Sequence, residues 1–368
     1  MKLFVPVLAT LFFVIHLLFY RRVVKRLHLP GRTDRALAWA VWGNFLGVLG
    51  YLTARYGLQI PQPLYYLFSL SVGIGFLLFL GWLLYEILFL IHRLPWFRGR
   101  HEGVKKAVDA LFVTTAAGVV AAAVYGGAQA PAIREISVDQ GLFNKEGYRI
   151  VQISDMHVGG LVGRDFVEEC VAHINALHPN LVVITGDLTD MRIDRIADAL
   201  RPLAGLRSRL GVFYVPGNHE YFHGIDATLA YLPHLGITVL KNRALKLDGR
   251  FWIVGVDDLM GRRMGRHAPD VEAAYRAVTD DAPVLLLAHQ PKFLKELAGH
   301  RFDLMLSGHT HGGQVWPFGY LVGLVQPYVK GLHQTPSQGY IYVNSGIGFW
   351  GPPMRLDSRA EIAVIEWK

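Results

Sequence analysis

Four apolar stretches fill the first third of this 368-residue chain, and they limit its fold more than any other feature. Residues 3–20 hold only His16 as an ionisable group, and residues 36–54 hold no charge. Residues 64–85 run uncharged up to Glu86, and residues 110–128 are rich in Ala, Val and Gly. A bilayer core of about 30 Å takes roughly 20 apolar residues as a helix, so each stretch has the length of a membrane span. The first also fits an uncleaved signal anchor. The last, with Lys105 and Lys106 before it and Ala128-Gln129-Ala130 after it, fits a signal peptide, but Pro131 disfavours cleavage and an intact helix is expected.

The charge is divided in the same way. The chain carries a net +8, yet residues 1–130 hold 13 Lys/Arg against 4 Asp/Glu, leaving 24 against 25 in residues 131–368. A nucleic-acid reading needs a basic face on a folded domain. Here the basic residues lie between apolar runs, so lipid is the expected partner and nucleic acid is not. Residues 21–35 carry Arg21, Arg22, Lys25, Arg26, Arg32 and Arg35, and residues 93–106 carry Arg93, Arg98, Arg100, Lys105 and Lys106. The second connection has only Arg55. Basic short loops stay cytoplasmic, which sends everything after about residue 130 to the periplasmic or extracellular side of a multi-pass inner-membrane protein. His16, Glu86 and His92 would mark a transport path if the spans have a function of their own.

Beyond residue 147 the pattern changes. Short β-rich runs at 149–153, 181–185, 212–215, 251–256, 283–288, 303–306 and 340–343 alternate with helical patterns at 164–177, 194–203, 271–278 and 292–297. This alternation predicts an α/β domain with helices covering sheets. The chain therefore divides into a helical membrane domain, residues 1–130, and an α/β domain, residues 131–368, with residues 129–135 read as the link. Cys170 is the single cysteine, which excludes an internal disulfide or a thiolate metal cluster, and it reads as core.

Five of the strands end in polar clusters. Ser154 leads into Asp155-Met156-His157, and Thr185 into Gly186-Asp187-Leu188-Thr189-Asp190. Pro216 leads into Gly217-Asn218-His219-Glu220, Ala288 into His289, and Ser307 into Gly308-His309-Thr310-His311. Ligands of α/β sheets bind beyond the carboxyl ends of the strands, so these clusters can converge. Asp and His without Cys suit divalent Mn, Fe or Zn, and there are enough ligands for two ions. Two such ions about 3.5–4 Å apart can clamp a phosphoryl transition state.

With these motifs in this order, residues 147–368 resemble the calcineurin-like metallophosphoesterases. The family pattern is D-x-H, GD-x-x-D, GNH[DE], a lone His and GH-x-H, and every element is present. The resemblance implies a four-layer β-sandwich flanked by helices and a metal-dependent phosphoric ester hydrolase. It implies that Asp155, His157 and His311 bind one metal, that Asn218, His289 and His309 bind a second, and that Asp187 bridges them. His219 matches the family's histidine that assists the leaving oxygen. Glu220 would orient His219, and Asp190 would support the site from behind the ligands.

The substrate is left open. The run Gly312-Gly313-Gln314 is similar to a bacterial membrane-linked subgroup that acts on phosphodiester or pyrophosphate bonds, including lipid-sugar nucleotides. Residues 315–329 and 349–353 are rich in Trp, Phe, Tyr and Leu, which would suit acyl chains or contact with lipid. Lys330 and Arg355 are candidates for binding a second phosphate. A phosphorylated small molecule or lipid is the expected substrate, with a UDP-2,3-diacylglucosamine pyrophosphatase-like activity as a variant. An outer domain that binds metal or phosphate without turnover, serving a transporter or sensor, is the alternative.

Overall fold

The structure is a computed structural model that describes residues 4–56, 58, 60–93, 102–143, 147–297, 299–336 and 339–368. Its residues divide into two compact units, Met1–Ala128 with Gly351–Met354 and Gln129–Trp350 with Arg355–Lys368.

The first unit contains the helices Phe4–Arg22, Gly31–Tyr56, Gln62–His92 and Glu102–Ala128. Each is long and apolar enough to cross a membrane. They run past the apolar stretches to take in Arg32, Asp34 and Arg35 of the second helix, Glu86 of the third and Lys105, Lys106 and Asp109 of the fourth. Pro61 and Pro63 open the third helix, where a missing N–H does no harm. His16 is buried, with Nδ1 2.6 Å from the Phe12 carbonyl and Nε2 3.0 Å from Asn44 Nδ2. Glu86 accepts a hydrogen bond from Arg26 at 3.1 Å. Both groups thus have polar partners within the helices, as buried polar groups in a bilayer require. Lys105 donates to the Arg26 carbonyl at 3.1 Å, which gathers the first and third connections at one end of the bundle. Arg98 and Arg100 lie outside the described residues, as does the His92 side chain.

The second unit is built on two six-stranded mixed sheets. The first is ordered Ala132–Val138, Glu361–Trp367, Tyr148–Ile153, Leu181–Thr185, Val212–Val215 and Ile237–Val239, and its last four strands are parallel. The second is ordered Gly331–Gln334, Tyr340–Val343, Leu304–Ser307, Val284–Leu287, Phe251–Gly255 and Arg243–Leu247, with the central four parallel. Residues along each central strand alternate between two cores. Leu181 and Val183 point into a core shared with Ile253, Leu285, Leu287 and Leu306 of the other sheet. Val182 and Ile184 point outward to Val167, Cys170 and Ile174 of helix Arg164–Ala176. Leu286 and Met305 meet Tyr275, Phe293 and Leu297 on the far face. Both faces of each sheet are covered, which is why the strands read as unbroken apolar runs. The result is a four-layer α/β sandwich, as the resemblance implies.

Two local readings are corrected. Residues 129–135 are not all link, since Ala132 begins an edge strand paired in parallel with Glu361–Trp367. The helical pattern at 292–297 is a 3-10 turn, Pro291–Glu296, in which proline occupies the first turn.

Candidate metal centre

The parallel strands of each sheet carry their chemistry at the same edge. Ile153, Thr185 and Val215 end three neighbouring strands of one sheet, and Leu287 and Ser307 end two of the other. The loops that follow bring Asp155, His157, Asp187, Asn218, His219, His289, His309 and His311 together. Ligand atoms of Asp155, His157 and His311 lie within 4.8 Å of one another, and so do those of Asp187, His289 and His309. His157 Nε2 is 3.1 Å from His311 Nε2, and His311 Nε2 is 3.4 Å from Asp155 Oδ1. His289 Nε2 stands 3.2 Å from Asp187 Oδ2, from Asn218 Oδ1 and from His309 Nδ1. Asp187 Oδ2 also lies 3.9 Å from His157 Nε2, placing it between the two groups.

The backbone accepts strain to achieve this. Asp155, His157, Asp187, His309 and His311 all have φ between 49° and 72°. Non-glycine residues rarely adopt such angles, and clustering of them accompanies functional sites. Gly217 must be glycine because a side chain there would collide with the Asp187 carboxylate. Asp187 Oδ1 instead accepts the His219 backbone N–H at 2.8 Å. The His309 N–H donates to the Asp155 carboxylate at 3.0 and 3.1 Å.

The donor set fits two divalent cations. His289 Nδ1–H donates to the Thr185 carbonyl at 2.8 Å, which fixes the proton on that nitrogen and turns Nε2 inward. His157 and His311 point two ring nitrogens at each other, while their buried Nδ1 atoms have no hydrogen-bond partner among the described residues. With both protons on Nδ1, the two Nε2 atoms would offer their lone pairs to one cation. Desolvation holds His309 down to about 3 and His311 well below its ordinary value, so both rings are neutral and free to offer a lone pair. Burial would raise the Asp187 carboxyl, but the imidazoles around it, His289 foremost, hold it well below the usual range. Burial raises Asp155.

His219 stands beside these candidate ligands. Its Nδ1 is 2.6 Å from Asp190 Oδ1, and its Nε2 is 4.0 Å from Asp187 Oδ2. The orienting carboxylate is therefore Asp190, not Glu220. Glu220 is buried and accepts backbone N–H groups from Gly217 at 2.8 Å, Asp187 at 3.2 Å and Thr189 at 2.9 Å. It ties the loops after Thr185 and Val215 together, and both its oxygens are taken by those N–H groups. His223, one helical turn on, lies 3.6 Å from the same Asp190 oxygen.

The two cations expected to bind a second phosphate are engaged elsewhere. Arg355 is 1% exposed and donates to the carbonyls of Ser345, Gly346 and Gly348 at 3.0, 3.1 and 2.7 Å. Lys330 donates to the Asp357 carbonyl at 2.6 Å. Sequence reading also missed Asp257 and Asp258, which follow strand Phe251–Gly255 at the same edge. Asp258 accepts both available bonds from the Gln290 amide, next to His289, at 2.9 Å. The signal was present, since another strand end carried a polar pair, but no family motif covers it.

Residues 148–313 match the calcineurin-like phosphoesterase family. A metallophosphoesterase of Helicobacter pylori is 37% identical over 308 residues, covering 83% of each chain. The chain belongs to the calcineurin-like metallophosphoesterase family. It is a metal-dependent phosphoester hydrolase. A Campylobacter jejuni metallophosphoesterase is 30% identical over 354 residues, or 95% of this chain and 94% of its own. A zebrafish (Danio rerio) transmembrane protein with a metallophosphoesterase domain is 38% identical over 262 residues, 67% of this chain and 60% of its own. That relative is named a transmembrane protein, and this chain has four helices long and apolar enough to cross a membrane among its described residues.

Proposed function

We propose that the chain is a membrane-anchored phosphoesterase that hydrolyses a phosphodiester, pyrophosphate or phosphomonoester of the cell envelope, at a site facing the periplasmic or extracellular side. The observation that carries this reading is the convergence of seven Asp, Asn and His side chains from the strand ends of both sheets, beside a histidine anchored by a carboxylate. Asp155, His157 and His311 would hold one divalent cation, and Asn218, His289 and His309 the other, with Asp187 shared. When bound, the pair supplies Lewis acidity that neutralises phosphoryl charge and makes water nucleophilic near neutral pH.

The protein's own groups do the rest. Asp190 fixes the His219 ring with Nδ1 toward the carboxylate, so that Nε2 presents a proton to the departing oxygen. The negative carboxylate stabilises the imidazolium form that makes this transfer possible. Glu220 holds the Asp187 and Asn218 loops in register through three backbone N–H groups. The gathering of the first and third connections at one end of the helical bundle supports placing both basic loops on the cytoplasmic side.

The test is hydrolysis of bis-p-nitrophenyl phosphate by the full-length protein loaded with Mn²⁺. Asp187→Ala and His309→Ala should abolish turnover with the fold retained. His219→Ala should lower kcat with bound metal largely unchanged. Turnover by Asp187→Ala would refute the ligand assignment. A carboxyl-terminal reporter active only in the cytoplasm would refute the orientation.

A further inference from the structure

The loop that carries His309 and His311 continues directly into an apolar wall. After Gly312 and Gly313 the chain forms the short helix Phe318–Gly323 and runs on through Leu324 and Val325. Gly313 has φ 81°, and a side chain there would strike the backbone of Gly319, so glycine lets the helix lie against the histidine loop. On the other side, Trp350 N–H donates to Gln314 Oε1 at 2.9 Å, and the Gln314 amide donates to the Trp350 carbonyl at 3.1 Å. This reciprocal pair fixes Trp350 with its ring 5.7 Å from that of Phe318.

Between these walls lies a groove of about 270 Å³. Phe318, Leu321, Val322, Val325 and Trp350 line it together with His219, His309 and His311. Its polar lining residues are already engaged. Thr310 donates to the Val329 carbonyl, Gln314 holds Trp350, and Gln326 accepts the Lys292 N–H. No Lys or Arg lines it among the described residues, so a second phosphate would meet no cation there. Its apolar lining is open to solvent, with Leu321 55%, Val325 66% and Trp350 50% exposed. A contiguous exposed apolar surface beside a reactive site marks an apolar ligand or a lipid.

We propose that the groove seats the hydrocarbon chain of an amphiphilic phosphoester while its phosphoryl group lies among the metal-binding residues. This substrate class rests on the phosphoesterase reading above. The groove shares Asp187, Asn218, His219, His309 and His311 with that site, so the substituent of a bound phosphoester extends along Leu321, Val322 and Val325. A chain there removes apolar surface on both partners from water. Each fully seated methylene is worth roughly fourfold in affinity.

The experiment uses the full-length protein in nanodiscs with Mn²⁺ and a series of alkyl p-nitrophenyl phosphodiesters from methyl to decyl, all below their micellar concentrations. In the wild type, kcat/KM should rise at least tenfold along the series. Leu321→Glu and Val325→Glu place charge on exposed groove positions and should flatten the decyl-to-methyl ratio to below about threefold. Because the ratio is taken within each variant, loss of folded protein cancels, and partition into the nanodisc is common to all. Activity that is equal along the wild-type series would overturn the chain-seating groove while leaving the phosphoesterase reading intact. A rise that persists unchanged in both variants would do the same. Inactivity on every ester would overturn both.

Discussion

Replacing Asp257 by Asn should stabilise the protein at alkaline pH and not at acid pH. Asp257 follows strand Phe251–Gly255 and is 2% exposed. Its Oδ2 accepts from Asn242 at 3.1 Å, but its buried Oδ1 has no hydrogen-bond partner among the described residues. Burial, reinforced by Asp258 and opposed by Lys241 and His267, pushes its carboxyl from 3.8 up to about 6. Two pH units correspond to about 3 kcal/mol between the protonated and ionised forms. Because the folded value is raised, the stability from this group is complete below about pH 4 and is lost as pH rises through about 6. At pH 8 the folded protein bears the whole penalty. Asp257→Asn removes the charge and keeps the acceptor for Asn242, while its amide N–H groups meet no acceptor, at about 1 kcal/mol. The expected net gain is about 2 kcal/mol at pH 8, or about 4–8 °C in Tm for a domain of this size. At pH 4.5 the variant should show no gain. Thermal unfolding of the purified full-length protein at the two pH values measures the difference. A Tm difference that is the same at both would refute a buried, uncompensated carboxylate.

Glu220→Gln replaces one accepting oxygen by a donor that faces backbone N–H groups, so it should lower stability by about 3 kcal/mol and reduce turnover with it. Asp190→Asn removes the charge that stabilises the His219 imidazolium; kcat should fall about 100-fold or more while bound metal, measured by elemental analysis, stays at the wild-type level. Arg355→Met leaves the carbonyls of Ser345, Gly346 and Gly348 without their donor, so folded yield or Tm should drop sharply. A stable Arg355→Met protein with raised KM alone would instead make Arg355 a substrate ligand.

What the sequence discloses depends on how local the cause is. The metal-binding clusters are legible because parallel strands must place their carboxyl ends at one edge, and the residues just beyond Ile153, Thr185, Val215, Leu287 and Ser307 inherit that position. Strand Ala132–Val138 escapes such reading. Most of its side chains are exposed, and its partner, Glu361–Trp367, lies more than 200 positions away, so no periodicity announces the pairing. Arg355 fails for a related reason. A cation near metal ligands suggests a phosphate contact, but only the fold shows that three carbonyls at 345–348 take its donors first.

The His219 partner shows where adjacency itself misleads. Glu220 is the next residue along helix Asn218–His223, and successive helical side chains point in different directions. Glu220 therefore turns back to the helix start and to the Asp187 loop, where it meets three N–H groups and stays buried. Asp190 lies 29 positions away, yet the loop after Leu181–Thr185 carries it to the His219 ring. The GD-x-x-D motif thus supplies two carboxylates with separate tasks, Asp187 among the candidate metal ligands and Asp190 behind the histidine. The pairing of a motif's last residue with the third residue of the next motif follows from neighbouring parallel strands, whose ends lie one strand spacing apart.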